Sequence, residues 1–148
     1  MKVKFLEQFL NQKINSSVSE FSEVSTDTRT LKKDALFIAI RGENFNGNDF
    51  LDEALEAGAL CCITTDKNKE NVKKEIYFVE DEFVFLNELG RAWCNHVNPE
   101  VIGVTGSNGK TTTKFFISQM IGPFKKLCYS PKSFNNHIGV PFTQLMLK

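Results

Sequence analysis

Several features are missing from this 148-residue sequence, and each absence narrows what the protein can be. Its 18 basic and 18 acidic side chains cancel, so no charge excess argues for a nucleic-acid or other polyanion-binding surface. No apolar run approaches the roughly 20 residues of a membrane-crossing helix. The start, Met1-Lys2-Val3-Lys4-Phe5, has neither a signal-peptide core nor a cleavage site, so a cytoplasmic location is the expectation. The four cysteines, Cys61, Cys62, Cys94 and Cys128, form no C-x-x-C pair. Cys61 and Cys62 lie inside the apolar run Ala59-Leu60-Cys61-Cys62-Ile63, so buried thiols in a reducing compartment are expected rather than a metal or redox site. Core material is plentiful: 41% of the residues are hydrophobic and 14 are phenylalanine.

The stretch from Val101 to Thr113 carries the clearest chemistry. Val101-Ile102-Gly103-Val104 reads as a buried strand, and Thr105-Gly106-Ser107-Asn108-Gly109-Lys110-Thr111-Thr112 follows it. Next comes a helical segment with Phe116, Ile117, Met120 and Ile121 at helical spacing. Strand, glycine turn, Lys-Thr and helix in this order form a phosphate loop, whose N–H groups converge with the positive end of a helix on polyphosphate. Gly106, Ser107, Asn108, Gly109, Lys110, Thr111 and Thr112 are therefore the candidate ATP-binding residues. Lys110 would reach the β/γ-phosphates and act in catalysis, and the hydroxyl of Thr111 would hold Mg²⁺. One element of the strict G-x-x-x-x-G-K-[ST] pattern is missing: Val104 stands where its first glycine belongs, and Gly106 lies closer to Gly109.

The preceding hundred residues read as an α/β unit. A short amphipathic helix is expected over Lys2–Asn11 and a strand over Phe21–Thr26, followed by the hydroxyl-rich run Ser25-Thr26-Asp27-Thr28-Arg29-Thr30. On its own that run is an ordinary turn. Ala35–Ile40 is continuously apolar, the pattern of a strand buried on both faces. A loop with Gly42 and Gly47 follows, and Asn48 is the expected cap of a helix over Asp49–Ala57. Strands over Ala59–Thr64 and Ile76–Val79 flank a charged, helical or loose segment, Lys67–Lys74. A long helix spans Asp81–Val97 and places Trp93 in the core, and Asn98-Pro99 breaks it. A domain boundary is set there, giving 1–98 and 99–148. In the second unit, a strand over Lys126–Tyr129 and a helix beginning at Phe142 follow the loop helix. About fifty residues with two strands are too few for a phosphate-loop domain, whose parallel sheet needs several helix-covered strands. No acidic Mg²⁺ ligand is in evidence in that unit either. The expectation is a fragment, or a chain that needs a partner.

Four segments together resemble the Mur ligases, the ATP-dependent amide-forming enzymes of peptidoglycan precursor synthesis. They are Ser25-Thr26-Asp27-Thr28-Arg29, Ala35–Ala39 with Gly42–Phe50, Val104–Thr112, and Asn135-Asn136-His137-Ile138-Gly139-Val140-Pro141. The last segment is most similar to that of the member that adds D-Ala-D-Ala. The resemblance implies an N-terminal α/β domain, 1–98, for the UDP-MurNAc-peptide, followed by the truncated start of the central ATP-binding domain, 99–148. Thr26 and Thr28 would face uracil or ribose, with Glu43, Asn44 and Phe45 on the other side and Asn135 and Asn136 near the nucleotide. The family often has His where Asn48 stands. The implied reaction activates the peptide's terminal carboxylate as an acyl phosphate, which the amine of D-Ala-D-Ala displaces. The implied partners are these small molecules, ATP and Mg²⁺, with no nucleic acid or membrane insertion and a monomer as default. The alternatives are the diamino-acid-adding member of the family and a UDP-sugar-binding module without turnover.

Overall fold

A computed structural model describes residues 1–42, 45–70, 72–130 and 138–147. Four short strands form one parallel sheet in the order β1-β2-β3-β4: β1 (Val24–Ser25), β2 (Leu36–Ile38), β3 (Cys61–Thr64) and β4 (Ile76–Phe78). The register pairs Phe37 with Cys62 and Cys62 with Ile76. Parallel strands joined by crossovers are covered on both faces, which is why β2 and β3 are apolar at successive positions. Leu36, Ile38, Cys61 and Ile63 face one core, together with helices α1 (Val3–Leu10) and α3 (Glu82–Val97). Phe37, Ala39 and Cys62 face the other, under α2 (Leu51–Glu56). The thiols of Cys61 and Cys62 are buried and unpaired in any disulfide. Burial, and secondarily Glu75, pushes the Cys62 pKa up to about 12, so it stays a thiol.

The long helix follows its sequence closely. The Asp81 carboxylate accepts from the N–H groups of Phe83 and Val84, both at 2.8 Å, and so caps the N-terminus of α3. Phe85, Leu86, Leu89 and Trp93 are buried along one side. Asn98, in the left-handed region at φ 49°, ends the helix just before Pro99.

Helix α4 (Lys110–Ile121) and helix α5 (Gly139–Leu145) come from the second segment, and they are placed very differently. Phe115, Phe116 and Met120 of α4 are exposed. Helix α5, in contrast, lies on α3. Leu145 enters the main core, and the Trp93 indole Nε1–H donates to the Leu147 carbonyl at 3.0 Å. A Cβ on Gly90 would stand 2.9 Å from Pro141 Cβ and 3.0 Å from Pro141 Cα, so this glycine permits the two helices to approach. The side chain of Cys128 donates to the Thr143 carbonyl and joins the intervening segment to α5.

Three local expectations change. Residues 101–104 and 126–129 join no sheet, and Val101 is 76% exposed. A strand is stabilised by a ladder partner, and among the described residues no neighbouring strand takes these segments. The first strand contracts from Phe21–Thr26 to Val24–Ser25 because Phe21 turns into the core, its N–H bonded to the Met1 carbonyl. Asn48 is not the helix cap. The chain makes a 3₁₀ turn at Gly47–Phe50 before α2, and the Asn46 side chain caps that turn by accepting from the Asn48 N–H at 3.2 Å.

The close approach at Gly90 yields a prediction of opposite sign to helix propensity. On a free helix face Gly→Ala stabilises by about 1 kcal/mol. Here the added methyl meets the Pro141 backbone, and overpacking of that kind costs about 1–3 kcal/mol. Urea unfolding of the 148-residue chain should therefore show Gly90→Ala less stable than wild type; a gain in stability would contradict the docking of α5 on α3.

Candidate functional site

The phosphate-loop motif folds as a glycine turn leading into α4. Gly106 has φ 142° and Gly109 has φ 76°, both in the left-handed region where a side chain is strained. Gly109 is the residue just before the helix, and its carbonyl accepts from the Thr113 N–H at 2.8 Å. The glycine missing from the strict pattern is not needed for the turn, since Gly106 supplies the positive φ. Lys110 opens the helix, and its ammonium group donates to the carbonyls of Gly106 at 2.5 Å and Ser107 at 3.2 Å. Ser107, Asn108, Thr111 and Thr112 stand at the surface around it. A cationic side chain folded along a positive-φ glycine turn, beside the positive end of a twelve-residue helix, has the donor set that polyphosphate requires. Among the described residues, no group of three His, Cys, Asp or Glu side chains gathers to hold a metal.

The hydroxyl-rich run forms a self-contained turn at the C-terminal end of β1. The Asp27 carboxylate accepts from the backbone N–H of Arg29 at 3.1 Å and from its guanidinium at 2.8 and 2.7 Å. These bonds hold the Asp27 pKa below its usual value. Ser25 Oγ donates to the Asp27 carbonyl and accepts from its N–H, each at 3.2 Å. The two threonines part company here. Thr28 Oγ1 donates to Glu53 Oε1 of α2 at 2.5 Å, whereas Thr26 lines a cavity.

That cavity, of about 300 Å³, lies between Val24–Asp27 and one side of α5, where Phe142 and Thr143, with Met146 just past the helix end, face it. In parallel sheets ligands bind beyond the carboxyl ends of the strands, and this is such a position. Thr26, which the family resemblance assigned to uracil or ribose, lines this cavity, and the sequence did not single out the residues that face it from the other side. Their only sequence signal was proximity to the Ile138-Gly139 segment, which also lines the cavity.

The second glycine loop is organised by its own packing. A Cβ on Gly47 would meet the Ile40 backbone at 2.6 Å, and one on Gly42 would meet the Phe45 ring at 2.7 Å. Phe45 itself is 55% exposed. Glu43, Asn44, Asn135 and Asn136 lie outside the described residues. The loop is fixed at its base by Asn48, which is 2% exposed. Its side-chain oxygen accepts from Thr64 Oγ1 at 2.6 Å and from the Thr65 N–H at 3.3 Å, and its amide donates to Asn46 Oδ1 at 2.8 Å. An amide uses both its donor and its acceptor here, so the network is satisfied.

A four-stranded parallel sheet covered by helices, with a glycine turn and helix following it in the chain, defines the broad class, an α/β protein, and comparison with known proteins specifies it. Residues 20–103 match the model of the Mur ligase family, catalytic domain, and residues 104–148 match the Mur ligase middle domain. The chain belongs to the Mur ligase family. It is 40% identical over 126 residues to a UDP-N-acetylmuramoyl-tripeptide–D-alanyl-D-alanine ligase from Bacillus subtilis, covering 84% of this chain and 27% of the relative. To the ligase of that name from Synechocystis it is 38% identical, covering 97% and 32%. The chain thus spans about a third or less of the length of these relatives. Among solved structures, it is similar to a MurF ligase from Thermotoga maritima in complex with ADP: TM-score 0.71, 31% identity, 83% of this chain and 28% of that one. A UDP-N-acetylmuramoylalanyl-D-glutamyl-2,6-diaminopimelate–D-alanyl-D-alanyl ligase from Acinetobacter baumannii gives TM-score 0.82 at 25% identity, over 99% of this chain and 33% of that one.

The Asn48 network gives a stability prediction. Asn48→Ala leaves the Thr64 hydroxyl and the Thr65 N–H without their acceptor, at a cost of about 1–3 kcal/mol. Denaturant unfolding should show that loss. Asn46→Ala, which removes the turn cap as well as one acceptor, should cost about 1 kcal/mol.

Proposed function

We propose that the complete protein is an ATP-dependent ligase that joins D-Ala-D-Ala to UDP-MurNAc-tripeptide. The observation that carries this is the Gly106–Lys110 turn, with positive φ at both glycines and the Lys110 ammonium laid along it. Relatives named for that activity, 40% and 38% identical, support the substrate assignment. The ADP bound in the Thermotoga maritima relative supports the nucleotide.

When bound, ATP supplies a phosphoryl group that makes the peptide's terminal carboxylate, otherwise a poor electrophile at neutral pH, open to attack by an amine. The chain's part is positioning and charge neutralisation. The N–H groups of Gly106–Gly109 and the start of α4 would hold phosphate oxygens, and the Lys110 ammonium would neutralise charge on the transferring group. Thr111 is assigned to Mg²⁺, Thr112 and Asn135–Asn136 to the nucleotide side. Residues 1–98 take the UDP end of the substrate through Thr26, Thr28, Glu43, Asn44 and Phe45. Of these, Thr26 is best placed, because Thr28 is engaged with Glu53.

A second reading has one observation behind it. A 2,6-diaminopimelate-adding ligase from Rickettsia prowazekii is 36% identical over 126 residues. In that reading the phosphate loop and the UDP end keep their roles, and the incoming amine changes.

Lys110→Ala in the complete protein should lower the ligation rate on the order of 10²–10³-fold, the size of effect seen when a charge-stabilising donor is removed. Binding of UDP-MurNAc-tripeptide, measured by calorimetry, should change little. Equal loss of both would show that the two sites are not divided as proposed.

A further inference from the structure

The glycine loop after β2 is held at its neck by two buried polar side chains, and one of them comes from a distant element. We propose that this residue, Glu82 at the start of α3, is a positioning residue for the UDP-substrate: it locks the neck of the loop and so fixes where Phe45 is presented. This rests on the UDP-MurNAc-peptide reading, which assigns Phe45 to the substrate, and adds a residue of α3 that acts through the loop.

Glu82 is 8% exposed. A glutamate is seldom so buried without a cation, because desolvating its carboxylate is costly. Among the described residues no lysine or arginine forms an ion pair with it. Its Oε1 accepts instead from the backbone N–H of Arg41 at 3.0 Å. A place in the first turn of α3, at the positive end of the helix, offsets part of the cost. The helix itself does not require this bond, since the Asp81 carboxylate already caps α3. What the bond fixes is Arg41, where the chain leaves the apolar run of β2.

The rest of the neck is equally constrained. Arg41 and Asn46 form an antiparallel bridge. The Gly42 N–H donates to the Phe45 carbonyl at 2.9 Å, and the Gly47 N–H donates to the Ile40 carbonyl at 3.0 Å. Asn48 ties the loop's exit to Thr64 and Thr65. The Phe45 ring lies against Gly42 and is still largely exposed. A large apolar ring held outward on a closed neck, beyond the carboxyl end of a parallel strand, stands where such sheets meet their ligands. A loosened neck would lower affinity by the fraction of time the ring is out of place.

The test uses the 148-residue chain, with UDP-MurNAc-tripeptide as the probe in calorimetry and amide hydrogen exchange as the report on the loop. Glu82→Ala removes the acceptor, Glu82→Asp keeps the charge but falls one methylene short, and Glu82→Gln keeps an acceptor oxygen at the same reach. The Ala and Asp variants should speed exchange at the Arg41 and Gly42 amides and weaken the substrate roughly tenfold, the range of one hydrogen bond to a charged group. Glu82→Gln should stay within about threefold of wild type. Phe45→Ala should also weaken binding about tenfold. The double variant of Glu82→Ala with Phe45→Ala should lose about tenfold rather than a hundredfold, because a ring that is absent cannot be misplaced; a role in stability alone would give additive losses. If the folded Ala and Asp variants exchange or bind as wild type does, if Glu82→Gln is as weak as Glu82→Ala, or if the losses multiply in the double variant, the positioning role is wrong and the ligase reading stands. If wild type fails to bind UDP-MurNAc-tripeptide, the reading beneath it falls, and the positioning role with it.

Discussion

The contact between α3 and α5 is the constraint on which the rest of the described structure depends. Helix α3 covers one face of the sheet with Phe85, Leu86 and Leu89, and along the edge of that same buried side it receives α5 at Gly90 and Trp93. A glycine inside a helix costs about 1 kcal/mol relative to alanine, a cost that makes sense only where a close approach requires it. Through this contact the segment that begins with the phosphate loop returns to the sheet that precedes it. The cavity at the end of β1 has its second wall for the same reason.

The two chemical centres are built on different physics. The phosphate loop is a surface device: positive-φ glycines, a helix terminus and one ammonium group, all of which gain strength when a polyanion replaces water around them. The cavity at β1 is largely apolar, and the hydroxyls of Ser25 and Thr143 in its lining are already engaged in hydrogen bonds. A phosphate suits the first and not the second.

Much of the fold was legible in the sequence because its signals were local. The continuous apolar run around Leu36–Ile38 announced a doubly covered strand, and the spacing of Leu86, Leu89 and Trp93 announced α3. Asp81 and Asn98-Pro99 marked that helix's ends. The glycine turn before α4 was legible for the same reason, since Gly106, Gly109 and Lys110 lie within one turn. What escaped was non-local. Asn48 has the composition of a cap, but its partners Thr64 and Thr65 are brought to it by β3 rather than by neighbouring sequence. The role of Gly90 depends on Pro141, fifty-one positions away in the chain. The apolar run Val101–Val104 predicted a strand from its own pattern, and a strand needs a partner that no local pattern supplies. Phe142 and Met146 carry only a helical apolar pattern, which in sequence is indistinguishable from core.

The most direct measurement of the account compares two amine substrates on the complete protein with ATP. One reaction pairs UDP-MurNAc-tripeptide with D-Ala-D-Ala, the other UDP-MurNAc-dipeptide with 2,6-diaminopimelate, and mass spectrometry of the products is read beside phosphate release. The account predicts UDP-MurNAc-pentapeptide, with stoichiometric phosphate, in the first reaction and no product in the second. Product in the second reaction alone, or phosphate release without an amide in either, would contradict it.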